Sequence, residues 1–239
     1  MTFDLKGMVR RFLRPALHAP DIALPHVVLG TEYGGWPLLT DLTPPSPLIF
    51  SFGVGEDVSF DLAAIDQFAA RVHAFDPTPR SAAWVARQNF PKDFVFHQSG
   101  LADHDGEAEF HAPEREEYVS YSAQPAAASP RDGMVSAPVE RLGTVISRLG
   151  LGDPDVVKMD IEGFEYGVLD DMLGQAYRPA QILVEFHHRM YGIPLQRTRD
   201  QVAVLKAAGY RVFYVSPSGH EYGLVHDTVI NKAGRILGQ

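Results

Sequence analysis

The chain has 239 residues, 45% of them apolar, with 21 Lys and Arg against 30 Asp and Glu, a formal net charge of −9 and no cysteine. That length suits one α/β domain with an extension and supplies enough apolar surface for a core. The acidic balance argues against a partner that is a nucleic-acid backbone, and the lack of cysteine excludes disulfides, a thiol nucleophile and thiolate metal sites. No apolar run approaches the roughly 20 residues that span a bilayer, and no signal-peptide h-region opens the chain, so a soluble cytoplasmic protein is expected.

Residues 1–47 carry Pro15, Pro20, Pro25, Pro37, Pro44, Pro45 and Pro47. Proline at that density excludes long helices and central strands, so the segment reads as an irregular extension and a candidate lid, with a short helix only in its first dozen residues. "VRRFLR", Val9 to Arg14, reads as a solvated helix face, and "YGGW", Tyr33 to Trp36, as a tight turn. The main domain is placed at residues 48–239. "LIFSF" reads as a buried strand, followed by a helix with Val58, Leu62, Ile65 and Ala69 at helical spacing. "VHAFD" and "FVFHQ" are the next strands, separated by a helix carrying Trp84 and Val85.

"DGEAEF" reads as a short antiparallel strand. Residues 111–138, rich in Ala, Pro and Ser, read as a long loop near which the acceptor side of a site is placed. The alternation then resumes: a helix over 141–149, the strand and exit "DVVKMDIEG", a helix around Val168 to Leu173, the strand "QILVEF", and a helix ended by Gly209. "YRVFYVS" and "YGLVHDTVIN" close the chain as a hairpin. The expected fold is α/β: a doubly wound, mostly parallel seven-stranded sheet with a C-terminal antiparallel hairpin.

In such sheets ligands bind beyond the carboxyl ends of the strands. Gly53 and Gly55 in "SFGVGEDVSF" permit a sharp turn and close approach, though a plain strand-to-helix turn would use them too. Asp76 follows about twenty residues later, the spacing of an acid that holds a ribose diol, and could equally cap the next helix. Glu56 and Asp57 oppose a pyrophosphate but would attract a cationic ligand; alternatively they favour the helix dipole. At "KMDIEGFE" and "EFHH", Asp160, Glu185 and His187 could meet across adjacent strand ends. They could hold a divalent ion such as Mg²⁺, supply a general base, or form a hydrogen-bonded polar cluster.

The motifs "FSFGVGEDVSFD", "VHAFDPTPRS", "GLADHDGEAEF", "VVKMDIEGFEYGVLDDML" and "QILVEFHH" resemble those of the FkbM-type S-adenosylmethionine (SAM)-dependent methyltransferases, on the class I Rossmann-like fold. The resemblance implies SAM bound by Gly53, Gly55, Asp76 and the turn Ser99, Gly100 and Leu101, while Glu56 and Asp57 are candidate cofactor contacts on the charge argument above. It implies Asp160 and Glu162 at the reaction centre, and O-methylation of a small hydroxylated acceptor, a saccharide or natural product; His187 joins them as a candidate base from its strand-end position. The chain departs from the family in carrying Glu56, Asp57 and Ser59 where that loop has a small or amide residue and a later glycine. An NAD-dependent oxidoreductase and a catalytically silent SAM-fold binding protein are the alternatives.

Overall fold

The computed structural model describes residues 18–32, 34–111 and 134–237. It opens with two short strands, His26–Leu29 (β1) and Trp36–Leu39 (β2), paired antiparallel. The lead-in is therefore not wholly irregular. Pro37 lies opposite Val28 in a two-stranded ribbon, where each strand is an edge and the missing N–H is tolerated. The expected N-terminal helix, the basic "VRRFLR" stretch and Tyr33 lie outside the described residues.

Seven strands form the main sheet: Leu48–Phe52 (β3), Arg71–Phe75 (β4), Phe94–His97 (β5), Val156–Met159 (β9), Gln181–Glu185 (β10), Tyr210–Val215 (β11) and Glu221–His226 (β12). Their order is β11-β12-β10-β9-β3-β4-β5. The pairs from β10 through β9, β3 and β4 to β5 are parallel, and β12 runs against both of its neighbours. The central strands are buried on both faces, which is why they read as near-continuous apolar runs. A smaller sheet orders Gly100–Leu101 (β6), Met134–Glu140 (β8) and Gly106–His111 (β7) with β8 in the middle.

Among the described residues, six helices flank the main sheet: Ser59–Phe68 (α1), Pro79–Val85 (α2), Leu142–Leu149 (α3), Glu165–Gly174 (α4), Leu195–Ala207 (α5) and Asp227–Leu237 (α6). Local chemistry sets several ends. Thr78 caps α2 by accepting the Ser81 N–H, with Pro79 at the first helical position. Gly150 ends α3 in the left-handed region. Helices α3, α4 and α5 bury Val145, Leu169, Met172 and Leu205 on one face of the sheet. The hairpin β1–β2 and α1 bury Leu29, Trp36, Leu38, Leu39, Phe60 and Ala64 on the other, so the hairpin shares a core with the sheet.

Three readings differ in detail. Residues 134–138, expected in the long loop, belong to β8; residues 112–133 lie outside the described residues. The segment after His226 is helical rather than strand. His226 pairs with Tyr210, the first residue of β11, so the ladder has no partner left to continue on. In α1 the buried positions are Phe60, Asp61 and Ala64, while Leu62, Ile65 and Phe68 are half-buried and Ala69 is an exposed cap.

Candidate active site

The chain leaves β3 for β4 and β5 on one side and returns through β9 and β10 on the other. The switch in strand order therefore falls between β3 and β9. Three strand exits meet around it, the turn 53–58, Asp76 and the loop 160–164, and the segment 98–101 adjoins the Asp76 exit beside Pro77.

Gly53 follows β3 with φ +74°, and its N–H donates to the Phe75 carbonyl at 2.9 Å. A Cβ there would stand 1.7 Å from the Asp160 carbonyl oxygen. The glycine is thus demanded by the neighbouring strand exit, a reason the spacing alone did not reveal. Gly55, at φ +54°, donates its N–H to Asp76 Oδ2 at 2.9 Å. Asp76 Oδ1 accepts from the Thr78 N–H at 2.9 Å and its hydroxyl at 2.6 Å. Asp76 therefore both braces the turn and starts α2. Three hydrogen bonds still leave about one of a carboxylate's four acceptor positions for a ligand hydroxyl.

The two acids of the turn separate. Asp57 Oδ1 accepts the Ser59 N–H at 2.8 Å, and its Oδ2 accepts the Thr31 hydroxyl at 2.9 Å. Burial pushes its pKa up, but the hydrogen bonds from Ser59 and Thr31 outweigh this and hold it below the usual value. Glu56 pairs with Arg80 of α2 at 3.0 Å. Ser99, Gly100 and Leu101 lie at the start of the small sheet. The Ser99 hydroxyl donates to Glu140 at 3.0 Å, and Arg148 holds that carboxylate through two hydrogen bonds.

The second half of the site is a carboxylate and imidazole cluster. The Asp160 N–H donates to the Phe52 carbonyl at 3.1 Å, fixing its strand end against the turn. Glu162, at φ +52°, and Gly163, at φ +106°, carry the chain into α4. His187, with a side chain only 2% exposed, lies past the end of β10. Its Nε2 stands 3.2 Å from Glu162 Oε2 and 3.6 Å from Asp160 Oδ1. Its Nδ1 stands 3.3 Å from Oε1 of Glu165, whose side chain is fully buried. Glu165 Oε1 also accepts the His187 backbone N–H, and its Oε2 accepts the Gly163 N–H, both at 2.8 Å.

Burial opposes a charge on His187, yet the Glu165 charge and the bonds to Glu162 and Glu165 hold its pKa well above the usual value. The imidazolium is therefore the form the cluster favours at neutral pH. The Asp160 pKa is raised as well, which for a carboxylate disfavours the charge. Loss of water raises its pKa, the Lys158 and His187 charges pull it down, and Glu162 and Glu165 add to the rise. Its side chain remains 31% exposed. Asp160, Glu185 and His187 each offer one ligand atom, all within 4.8 Å of one another.

The candidate site residues thus end or follow β3, β4, β5, β9 and β10, with Gly100 and Leu101 forming β6 of the small sheet. Two that were not singled out belong there as well. Glu165 was one charge in a helix start, and only the fold turns it inward onto His187. The Tyr191 hydroxyl donates to Glu162 Oε2, with the Tyr191 ring 6.0 Å from that of His187. No spacing rule points to it, because it stands in a loop with left-handed backbone at Arg189, Tyr191 and Gly192.

An open sheet with this strand order, its antiparallel β12 between β10 and β11 and its ligand edge at the switch, is the class I methyltransferase architecture. The chain belongs to the FkbM methyltransferase domain family, whose model matches residues 52–212, more than half of its length. No curated protein matches it. Among solved structures it resembles the FkbM methyltransferase from Methylobacillus flagellatus (TM-score 0.47, 14% identity, 76% of this chain and 43% of that one). It also resembles the Methanococcus jannaschii fibrillarin pre-rRNA processing protein (TM-score 0.48, 10% identity, 80% and 70%). A third is a TehB-like SAM-dependent methyltransferase from Corynebacterium glutamicum (TM-score 0.40, 12% identity, 77% and 82%). The chain therefore spans less than half the length of the first of these. Among the described residues no helix is long and apolar enough to cross a membrane.

Proposed function

We propose that the protein is a SAM-dependent O-methyltransferase acting on a hydroxyl of a small acceptor, a saccharide. The observation that carries this is the Asp160, Glu162, Glu165 and His187 cluster lying directly against the glycine turn through the Gly53–Asp160 backbone contact. The residues present suit SAM better than a dinucleotide. A pyrophosphate would need the free N–H groups at the start of α1, but the Asp57 carboxylate already accepts the Ser59 N–H there. Family membership likewise favours methyl transfer over an oxidoreductase.

When bound, SAM supplies an electrophilic methyl group on a sulfonium sulfur. Gly53, Gly55, Asp76, Ser99, Gly100 and Leu101 would hold it, with the remaining acceptor position of Asp76 on the ribose. Glu56 and Asp57 add negative charge near its cationic groups while bracing the turn.

A sugar hydroxyl is a poor nucleophile at neutral pH and needs a base or a metal. Asp160 is the better base. A raised carboxylate pKa moves it towards the operating pH, and its side chain is partly exposed. His187 was the other candidate, but an imidazolium has no lone pair to accept a proton. Its role in this reading is to hold Asp160 and Glu162 in place while Glu165 fixes the ring. Carboxylates around the cleft, together with Tyr191, suit an acceptor rich in hydroxyls.

A metal-assisted variant is favoured by the convergence of Asp160, Glu185 and His187, because a divalent ion would replace the proton on His187 Nε2. Glu165 on Nδ1 is the outer carboxylate that metal-bound histidines commonly have.

Calorimetry with SAM, followed by transfer of isotopically labelled methyl to a saccharide panel with and without EDTA, tests both layers. SAM binding and labelled sugar ethers are expected. Absence of SAM binding refutes the reading as a whole, turnover that survives EDTA removes the metal, and label found only on amines or carboxylates removes the hydroxyl acceptor.

A further inference from the structure

Behind the glycine turn, beneath α1, lie two buried charged side chains, Lys158 and Asp61, to which the reaction above gives no direct role, although the Lys158 charge also reaches Asp160. Lys158 stands opposite Ser51 in the β9–β3 register and points into the apolar layer beneath α1. It is 5% exposed. Its ammonium donates to the carbonyl of Gly53 at 3.1 Å and to that of Phe52 at 3.3 Å. The Trp36 ring, from the N-terminal hairpin, lies 5.0 Å from the ammonium.

Asp61, on the buried face of α1, is 2% exposed. Burial pushes its pKa up to about 6 against the pull of the Lys158 charge. Among the described residues its Oδ1 and the Ser51 hydroxyl make no hydrogen bond of good geometry, although Ser51 is near enough to pull the Asp61 pKa down. Polar atoms in that position need a counter-charge or an internal water between them. A charged pair placed here gains little as a stabiliser, since well-packed apolar residues usually serve a core at least as well. What Lys158 does that an apolar residue cannot is grip two consecutive carbonyls of the turn, on the strand that presents Asp160 two residues later.

We propose that Lys158, with Asp61 as its buried counter-charge, is a positioning residue that locks the cofactor turn to the strand carrying Asp160. The inference rests on the SAM reading above. With the carbonyls of Phe52 and Gly53 held, the turn keeps its other backbone bonds: Gly53 N–H to Phe75, Gly55 N–H to Asp76 and Asp57 N–H to Val54. Without the ammonium the Gly53 carbonyl rotates towards another donor and the turn loosens, while the Phe52 carbonyl keeps the Asp160 N–H. Trp36 closes the ammonium off from water, which gives the hairpin β1–β2 a part in shaping the cofactor site.

The test compares the full chain with Lys158→Met and with the double variant Asp61→Leu/Lys158→Met, which removes both buried charges together. Each is titrated with SAM and with S-adenosylhomocysteine in a calorimeter, melted thermally, and followed by amide hydrogen exchange at Gly53, Gly55 and Asp57. The single variant leaves Asp61 alone in the core and is expected to melt early. The double variant is expected to recover a near-native melting temperature while binding both ligands at least about tenfold more weakly. Its turn amides should exchange faster than those of the sheet core. A purely structural pair predicts the reverse, with affinity and exchange restored together with stability. A stable double variant with native affinity and native turn exchange overturns the inference and leaves the SAM reading standing. A native protein that binds neither ligand overturns both.

Discussion

Gly53→Ala probes how the turn and the reaction centre share their backbone. A Cβ at this position would lie 1.7 Å from the Asp160 carbonyl oxygen and 2.7 Å from its carbon, where real Cβ contacts stay beyond 3.0 Å. One backbone must therefore retreat by on the order of 1 Å, since neither atom belongs to a side chain that could swing away. Holding a non-glycine residue at φ +74° costs about 1–2 kcal/mol by itself. The retreat also stretches the Asp160 N–H bond to Phe52 and the Lys158 bond to Gly53, each worth about 1 kcal/mol net. The sum is about 3–4 kcal/mol, which for a chain of this size lowers the melting temperature by roughly 10 °C. Gly150→Ala is the control: φ is +63° and nothing lies within 4 Å, so only the strain applies, a fall of about 4 °C. Thermal melts followed by circular dichroism, with SAM calorimetry on each protein, measure both. Equal losses in the two variants, with native SAM affinity in Gly53→Ala, would refute the reasoning.

Asp57→Ala removes an acceptor from both Ser59 and Thr31 and should cost about 1 kcal/mol, whereas Glu56→Ala loses only a part-exposed ion pair and should change the melting temperature little; a larger loss for Glu56→Ala in urea or thermal unfolding counts against this assignment. His187 has a folded pKa above its unfolded value of about 6.5, so its stabilisation is complete below about pH 6.5 and fades as pH climbs through the raised value. Melts from pH 6 to pH 10 should fall more steeply for the native protein than for His187→Gln, and identical slopes would reject the buried imidazolium. Asp160→Asn should lower methyl transfer by about 10²–10⁴-fold with SAM affinity nearly unchanged, because a base acts in the transition state; loss of affinity instead would make Asp160 a cofactor contact. Tyr191→Phe removes one donor from Glu162 Oε2, which keeps its contact with His187 Nε2, and should alter the KM for the acceptor while SAM affinity holds, as read from steady-state kinetics.

The strands that built the sheet were legible because strands buried on both faces need continuous apolar runs, and "LIFSF" and "QILVEF" could serve little else. The strands that escaped pair in ways the local pattern does not encode. Pro37 and Pro138 both sit in strands, Pro37 in a two-stranded ribbon and Pro138 opposite Glu107 in the small sheet. Neither pairing leaves a local signal. In the site, Asp160 and His187 were found from strand-end geometry, which depends on adjacent strands and period-two alternation alone. The inward turn of Glu165 depends on a backbone N–H arriving from His187, across 22 residues of sequence, so no helix rule could supply it. The two acids after Gly55 were indistinguishable for the same reason: Thr31 selects Asp57 and Arg80 selects Glu56, and both partners come from other elements. The contacts that complete the site are thus ties between strand exits. Gly53 rests on Asp160, Gly55 hangs from Asp76, and Lys158 holds Gly53 from behind. Since the turn side and the acid side share these ties, a displacement at one of them must reach the other through fixed backbone. On the proposed SAM reading, a cofactor bound at the turn would therefore help set where the Asp160 carboxylate stands.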